Sequence, residues 1–262
     1  MQLAGSYGVV TGASGGIGAA LVRRLHREGV RLIVTGRRRE QLEELAAETG
    51  AEVVLCDLAD RRQVDELAER LAGVDLLVHN AGLPASGDVR DFTPEEIDRA
   101  LDVNLRAPMI LSRLVVPHMV ERGRGHVVFV SSLAGKVAQA GSAVYSATKF
   151  GLRGFAHGLR GDLDGTGVGV TVVCPGFIRD AGMFAETGVK LPPWIGTSSP
   201  EDVADAVVKA VRANKAEVDV APLQMKLGAR VGNLAPELAR QVGKRFGAGF
   251  SEELVARQKA KR

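Results

Sequence analysis

The stretch YGVVTGASGGIG, residues 7–18, decides the fold of this chain. Its β-branched run ends at Thr11, a turn with four glycines follows, and a helical pattern, AALVRRLHREG, begins at residue 19. Glycines at such a junction allow a tight turn and let an anion approach the free N–H groups of a helix N-terminus. The stretch therefore predicts a strand, a tight turn and a helix in succession, with an anion site where the helix begins.

The alternation of apolar strands and helical segments continues along the chain. Six further runs are strand-like: RLIVT (31–35), EVVLC (52–56), VDLLVH (74–79), HVVFV (126–130), GVTVV (169–173) and EVDVA (217–221). Strands separated by helices are expected to be parallel, and their nearly continuous apolar character indicates helices on both faces. We therefore predict a Rossmann-like, doubly wound α/β fold with about seven parallel strands, whose ligands bind beyond the carboxyl ends of the strands.

Composition limits the domain count and the classes of partner. With 262 residues, 45% of them hydrophobic, the chain is long enough for one large core. We expect a catalytic domain over residues 1–222, with the cofactor and substrate sites together, and a helical, basic extension over residues 223–262. A net charge of +3 with mixed signs argues against a nucleic-acid partner. For the extension, a solvated helix is favoured over association with a membrane or an acidic partner.

The cysteines and the apolar runs indicate the compartment. Cys56 and Cys174 lie in apolar runs without metal-ligand spacing, so we expect buried thiols in a reducing environment and no metal site. The N-terminus lacks a secretory pattern, and the apolar run 109–120 is too short to span a bilayer. These features predict a cytoplasmic protein.

The glycine-rich turn after the first strand predicts dinucleotide binding, and the end of the second strand indicates which dinucleotide. In this kind of fold a carboxylate there accepts the ribose hydroxyls of NAD(H), whereas arginine accommodates the 2′-phosphate of NADP(H). Here the strand ends in Thr35-Gly36-Arg37-Arg38-Arg39, with no carboxylate. We therefore expect NADP(H) to be preferred over NAD(H), with Arg37 and Arg38 on the phosphate. The alternative is a basic helix start with solvated arginines.

Tyr145 and Lys149 are candidates for acid/base chemistry because their spacing places both on one helix face. A phenol has a pKa near ~10, and a nearby cation favours its ionised form. The alternative is structural: without further evidence, a tyrosine and a lysine at this spacing are more often a packed ring and a solvated amine. Ser131 and Ser132 end a predicted strand, where a hydroxyl can donate to a developing alkoxide, and either is a candidate.

Asn104 lies on the apolar stripe of a predicted helix, so its amide is expected to be buried and to need partners. Pro108, four residues later, has no N–H to donate to the Asn104 carbonyl. We predict a local kink whose free carbonyl holds a water molecule. A purely structural kink is the alternative.

Two connections, residues 133–142 and 177–199, are long enough to form a substrate site. The second carries a set of apolar side chains: Phe177, Met183, Phe184, Pro192, Pro193 and Trp194. We interpret it as a lid over an apolar substrate, with an ordinary surface loop as the alternative.

Together, TGASGGIG (11–18), HNAG (79–82), Asn104, Ser132, YSATK (145–149) and Pro175-Gly176 resemble the short-chain dehydrogenase/reductase family over residues 5–220. The family's spacing between the serine and the tyrosine selects Ser132 rather than Ser131. The resemblance implies an NADP(H)-dependent oxidoreductase that interconverts a carbonyl and an alcohol. It also implies that Tyr145 is the general acid/base, that Lys149 lowers its pKa and binds the nicotinamide ribose, that Ser132 polarises the carbonyl, and that Asn104 holds a relay water.

The glycine turn, the arginines and the resemblance together give the candidate cofactor contacts. These are Gly12, Ser14, Gly15, Gly16, Ile17, Gly18, Arg37, Arg38, Asp57, Leu58, Asn80, Ala81, Gly82, Tyr145, Lys149, Pro175, Gly176 and Ile178. The resemblance also implies a small-molecule carbonyl or alcohol substrate and a homodimer or homotetramer. A non-catalytic NADP(H)-binding regulator is the first alternative, and an epimerase or dehydratase with the same Tyr/Lys chemistry is the second.

Two residues depart from the family pattern. His79 replaces the first asparagine of the usual Asn-Asn-Ala-Gly, and we interpret it as a histidine satisfied at a strand end. Asp180 stands where a threonine is usual, and repulsion between its carboxylate and the cofactor predicts a loop with a different course.

Overall fold

A computed structural model describes residues 1–189, 191, 195–235, 237 and 257 of the chain. Its centre is one seven-stranded sheet in which every neighbouring pair of strands is parallel. The strands are β1 (Tyr7–Thr11), β2 (Arg31–Gly36), β3 (Glu52–Leu55), β4 (Leu76–His79), β5 (Gly125–Val130), β6 (Val168–Pro175) and β7 (Glu217–Val220). They are ordered β3-β2-β1-β4-β5-β6-β7, which confirms the predicted doubly wound sheet.

Eight helices connect or follow these strands within the described residues. They are α1 (Gly16–Arg27), α2 (Arg39–Thr49), α3 (Arg61–Glu69), α4 (Pro94–Leu101), α5 (Ala107–Glu121), α6 (Ala143–Asp162), α7 (Pro200–Arg212) and α8 (Leu223–Leu234). A π-helical turn, Asp102–Arg106, joins α4 to α5, and short 3₁₀ turns cover Val89–Asp91, Leu133–Gly135 and Ala185–Thr187.

The helices cover both faces of the sheet because successive strand residues point to opposite sides. In β1, Val9 packs into a core formed with α3, α5 and α6, whereas Val10 packs into a second core with α1, α2 and α7. Neither side chain is accessible to solvent. Burial on both faces explains why the strands read as continuous apolar runs rather than as alternating ones.

Two helices near the site begin with a complete cap. Thr93 and Glu96 form a capping box at α4, and Ser199 and Asp202 form one at α7. Each box satisfies two N–H groups that the helix itself leaves unpaired. The second box fixes the point at which the long connection after β6 ends.

Part of the predicted C-terminal extension is visible. The boundary predicted after residue 222 coincides with the start of α8, but most residues beyond 235 lie outside the described part, so the domain division stays a prediction. Among the described residues, no helix combines the length and apolar character that crossing a bilayer requires.

Candidate active site

The carboxyl ends of the strands bring most of the predicted site residues to one edge of the sheet. The glycine turn follows β1, Arg37 follows β2, Asn80 follows β4, Ser131 follows β5, and Gly176 follows β6. These segments are far apart in sequence but neighbouring in space, since a parallel sheet aligns its strand ends.

The glycine turn after β1 is closed so tightly that side chains do not fit. Gly12 has φ +64°, and a Cβ added there would lie 2.7 Å from the Ala81 Cα. A Cβ at Gly18 would lie 2.2 Å from the Gly12 carbonyl oxygen. Helix α1, which follows, has neither a side-chain cap nor an acidic residue in its first turn. Its N-terminal N–H groups therefore suit an external anion, as the cofactor's phosphates require.

Of the three arginines after β2, Arg38 contacts the glycine turn. It donates from Nη2 to the Ser14 carbonyl oxygen at 2.6 Å and from Nε to the Ser14 Oγ at 3.2 Å. The Nη1 of Arg37 is 3.9 Å from Asp57 Oδ2. Arg39 begins α2 and pairs with Glu43 at 3.2 Å.

Asp57 is held by a residue that the sequence analysis missed. Arg99, on α4, donates to Asp57 Oδ2 at 3.1 Å. Burial opposes ionisation of Asp57, but the Ala59 N–H and Arg99 outweigh it, so its pKa lies below the usual value. The adjacent Leu58 is buried in the core. No local pattern around Arg99 indicates this contact, because it joins elements that only the fold brings together.

Asn80, Ala81 and Gly82 connect the glycine turn to the acid/base pair. The Asn80 amide donates to the carbonyl oxygens of Thr11 and Gly12 at 3.0 and 3.2 Å. A Cβ added at Gly82 would lie 3.5 Å from Lys149 Nζ. Gly82 therefore lies directly beside the ammonium group of Lys149 and the side chain of Asn104.

Tyr145, Lys149 and Ser132 lie close together. Lys149 is buried, its Nζ donates to the Val130 carbonyl oxygen at 3.1 Å, and it lies 5.7 Å from the centre of the Tyr145 ring. The Ser132 hydroxyl donates to the Pro175 carbonyl oxygen at 3.5 Å and is near enough to the Tyr145 phenol to influence its pKa. Ser131 is buried and donates to the Lys149 carbonyl oxygen at 3.0 Å.

Burial dominates the electrostatics of this group. It raises the pKa of Tyr145 to about 12, a change that the hydrogen bond from Ser132 only partly offsets. This direction is opposite to the lowering by Lys149 that the family resemblance implies. Burial also lowers the pKa of Lys149 to about 8. At neutral pH the site therefore holds a protonated phenol, which is a proton donor.

Asn104 lies in the π-helical turn, with its side chain fully buried. Its Oδ1 accepts from the Leu83 N–H at 2.6 Å, and its Nδ2 donates to the Leu83 carbonyl at 3.0 Å and to Thr148 Oγ1 at 3.3 Å. The predicted distortion is present, and it takes the form of a widened turn, which is frequent at functional sites. The side-chain amide of Asn104 therefore links the loop after β4 to helix α6 through hydrogen bonds.

The segment after β6 closes over the glycine turn. The Gly176 N–H donates to the Val220 carbonyl at 3.0 Å, and Ile178 is buried and bridges to Ser198. A Cβ added at Gly16 would lie 2.2 Å from the Cβ of Ala181. The stretch after Pro175-Gly176 therefore packs directly on the start of α1.

The predicted lid is partly described. Phe177 and Phe184 pack with ring centres 4.9 Å apart, and the Met183 methyl would lie 3.4 Å from a Cβ added at Gly82. Pro192, Pro193 and Trp194 lie outside the described residues. The lid stays a prediction.

Asp180 adopts a backbone conformation that is uncommon for residues other than glycine. Its φ is +68°, and the flanking Ala181 N–H donates to the Arg179 carbonyl at 2.8 Å, which closes a three-residue turn. Its carboxylate lies 3.2 Å from the Arg179 Nε and is 68% exposed. The backbone of Asp180 lies in the left-handed region, in which residues with branched side chains are disfavoured.

We expect Asp180→Thr, which restores the usual family residue, to destabilise the protein by about 1–2 kcal/mol. Asp180→Gly, which tolerates positive φ, is expected to be neutral or stabilising. Thermal unfolding of both variants tests this, since 1 kcal/mol corresponds to roughly 2–4 °C for a chain of this size. Equal melting temperatures for the two would contradict the prediction.

His79 is buried and structural, in line with its interpretation. Its Nε2 is 3.0 Å from Ser112 Oγ, and its ring stacks on Phe129 at 4.8 Å. Burial lowers its pKa to about 3, so it is neutral. Its Nδ1 has no hydrogen-bond partner within the described structure. The expectation that the histidine is satisfied by hydrogen bonds therefore holds for one of its two ring nitrogens only.

The chain is similar to known proteins along most of its length. A family model of the short chain dehydrogenases matches residues 7–191. HetN, a ketoacyl reductase of Nostoc sp., is 34% identical over 259 residues, covering 94% of this chain and 90% of HetN.

Solved structures show the same similarity. A metagenomic short-chain oxidoreductase in complex with NADP is 34% identical, with coverage of 85% of this chain and 99% of that one and a TM-score of 0.72. A short-chain dehydrogenase from Sphingobium yanoikuyae in complex with NADPH is 27% identical, with coverage of 89% and 95% and a TM-score of 0.78.

Proposed function

Because this chain belongs to the short-chain dehydrogenase/reductase family, we propose that it is an NADP(H)-dependent oxidoreductase that interconverts a carbonyl and an alcohol. The observation that carries the proposal is the placement of Tyr145, Ser132 and Lys149 together at the carboxyl ends of the strands, on the same edge of the sheet as the glycine turn. A phenol that is protonated at neutral pH suits the reductive direction.

In the proposed reaction, NADPH supplies the hydride when it is bound. Ser132 donates a hydrogen bond to the substrate oxygen, which stabilises the negative charge that develops there. The Tyr145 phenol transfers its proton to that oxygen while the carbonyl carbon gains the hydride, so the product is the alcohol. Lys149 stabilises the resulting phenolate. Asn104, in the widened turn, is proposed to hold the water through which the phenol regains its proton.

The preference for NADPH rests on Arg37 and Arg38. Both follow β2, and Arg38 is fixed on Ser14 of the glycine turn by two hydrogen bonds. A guanidinium in this position binds a 2′-phosphate through charge-assisted hydrogen bonds. Two solved relatives contain NADP or NADPH, which supports the same choice.

We expect Arg38→Ser to raise the KM for NADPH about tenfold to a hundredfold, because a hydrogen bond to a charged group contributes about 1.5–3 kcal/mol. The KM for NADH should change little. Arg39→Ser is the matched control, since the neighbouring Arg39 pairs with Glu43 on α2. An equal rise of both KM values in Arg38→Ser would show that Arg38 only supports the turn.

The substrate is proposed to have an apolar body, with a ketoacyl compound as the leading candidate. The name of HetN supports the ketoacyl group, and the contact of Phe177 with Phe184 supports an apolar cover. The test is NADPH oxidation with a panel of 3-ketoacyl thioesters, ketones, aldehydes and quinones, with NADH in parallel. NADPH-dependent turnover supports the proposal, whereas tight NADPH binding without turnover would favour a regulator.

We also propose a cytoplasmic homodimer or homotetramer. Both cysteines are buried, unpaired thiols, which suits a reducing compartment. On α6, Cβ atoms added at Gly154 and Gly158 would meet nothing within 4 Å, so another helix has room to approach. Met109 on α5 and Phe150 on α6 are each 38% exposed. Sedimentation of the purified protein tests the association.

A further inference from the structure

Helix α8 is apolar on two opposite sides. Met225, Ala229 and Gly232 face the body of the protein, and the last two are buried. On the opposite side a stripe is exposed, which we call the α8 stripe: Leu223 (69% exposed), Leu227 (51%), Val231 (49%) and Leu234 (85%). A stripe of large exposed aliphatic side chains over three turns marks an interaction surface, because water solvates it poorly.

The sequence from the start of this helix onward carries an excess of positive charge. Residues 223–262 contain nine basic and three acidic residues, a net charge of +6, whereas residues 1–222 contain 25 basic and 28 acidic residues, a net charge of −3. Lys226 and Arg230 border the α8 stripe at helical spacing. An apolar stripe with cations along its edge is typical of helices that lie in the interface of an anionic membrane.

We propose that the α8 stripe docks on an anionic lipid surface. Charge complementarity favours a lipid surface over a second copy of this chain as the partner of the stripe. A second copy meeting the same stripe across a two-fold axis would bring Lys226 and Arg230 of both helices close to one another, which opposes association. A surface of anionic headgroups attracts these cations, and the four aliphatic side chains enter the interface while Lys226 and Arg230 stay at the headgroups.

The buried side of α8 lies next to the candidate active site. A Cβ added at Gly176 would lie 3.2 Å from the Met225 methyl, and one at Gly196 would lie 2.7 Å from Pro222 Cγ. The start of α8 therefore borders the connection that follows β6. The α8 stripe is on the opposite side of the helix, so docking would hold α8 between the lipid surface and that connection. The docking itself does not depend on the proposed reaction.

The test is co-sedimentation of the full-length protein with phosphatidylcholine vesicles that contain or lack phosphatidylglycerol. We expect binding only to the anionic vesicles, and weaker binding at high salt. Leu227→Gln/Val231→Gln should reduce the partition coefficient at least about tenfold. Val89→Gln/Val120→Gln, which also changes two exposed aliphatic residues, is the control and should bind like the wild type.

Several outcomes would overturn the proposal. The first is absence of wild-type binding to anionic vesicles, and the second is equal loss of binding in the two double variants. Sedimentation velocity gives the third: if Leu227→Gln/Val231→Gln dissociates a wild-type oligomer, the stripe is an interface between copies. Melting temperatures and NADPH binding of both variants, expected to match the wild type, show that any loss is not due to unfolding.

Discussion

Tyr145→Phe is expected to lower kcat for carbonyl reduction at least about a thousandfold while leaving NADPH binding and the fold intact. General acid catalysis typically contributes between 10² and 10⁴ in rate, and the variant removes the only proton that the phenol carries. Phenylalanine keeps the ring that packs at the start of α6. The measurement is the rate of NADPH oxidation with the best substrate of the panel, together with the Kd for NADPH from fluorescence.

The matched control is Tyr7→Phe, at the chain's other tyrosine. Tyr7 lies in β1, and its hydroxyl is 3.4 Å from Glu52, away from the glycine turn. That variant should keep wild-type kcat. If Tyr145→Phe retains activity within tenfold of the wild type, Tyr145 is not the proton donor, whatever the family resemblance implies.

Lys149→Met is expected to lose activity and, at neutral pH, to stabilise the cofactor-free protein. The ammonium is only 2% exposed, and burial lowers its pKa to about 8 from the usual 10.5. This shift corresponds to about 3 kcal/mol of cost for the charged form. Loss of the hydrogen bond from Lys149 to the Val130 carbonyl lowers the unfolding free energy by about 1 kcal/mol. The net gain in unfolding free energy for Lys149→Met is therefore about 1–2 kcal/mol.

The pH dependence gives this prediction a distinct signature. Because the pKa is lowered in the folded state, the unfolded chain binds the proton more tightly, and stability rises with pH between the two pKa values. The cost of burying the charged Lys149 is therefore complete below its folded-state pKa of about 8. This cost disappears as the pH approaches the unfolded-state pKa of 10.5. The stability advantage of Lys149→Met should accordingly shrink over this interval. Chemical denaturation of both proteins across it is the measurement.

Lys136→Met provides a control of opposite sign. Lys136 is also buried, but its Nζ pairs with Glu217 at 2.6 Å and with Asp219. Burial alone would lower the pKa of Lys136, but the two carboxylates outweigh it and raise the value. Removing this lysine leaves both carboxylates without their shared cation, so the variant should be destabilised at neutral pH. Destabilisation of Lys149→Met as well would show that its buried charge is not costly.

Local sequence was sufficient for features that act over a few residues. The four-residue spacing of Tyr145 and Lys149 predicts a shared helix face, and Pro108 predicts a distortion near Asn104, because both follow from helix geometry. The apolar strands predict that helices cover both faces of the sheet for a similar reason. A strand buried on both faces has no polar side.

The sequence by itself determined the parallel α/β fold, the glycine turn, and the residue types proposed for the acid/base pair and for the 2′-phosphate. Only the tertiary structure decided that Arg99 holds Asp57 and that Asp180 adopts a positive φ. It also decided that burial, not the neighbouring lysine, dominates the pKa of Tyr145, and that the α8 stripe is exposed. The physical reason is common to these cases. The spacing of residues along the chain determines which side chains share one face of a helix or strand. Desolvation, contacts between distant segments and exposure to solvent depend on which other segments the fold packs against that face.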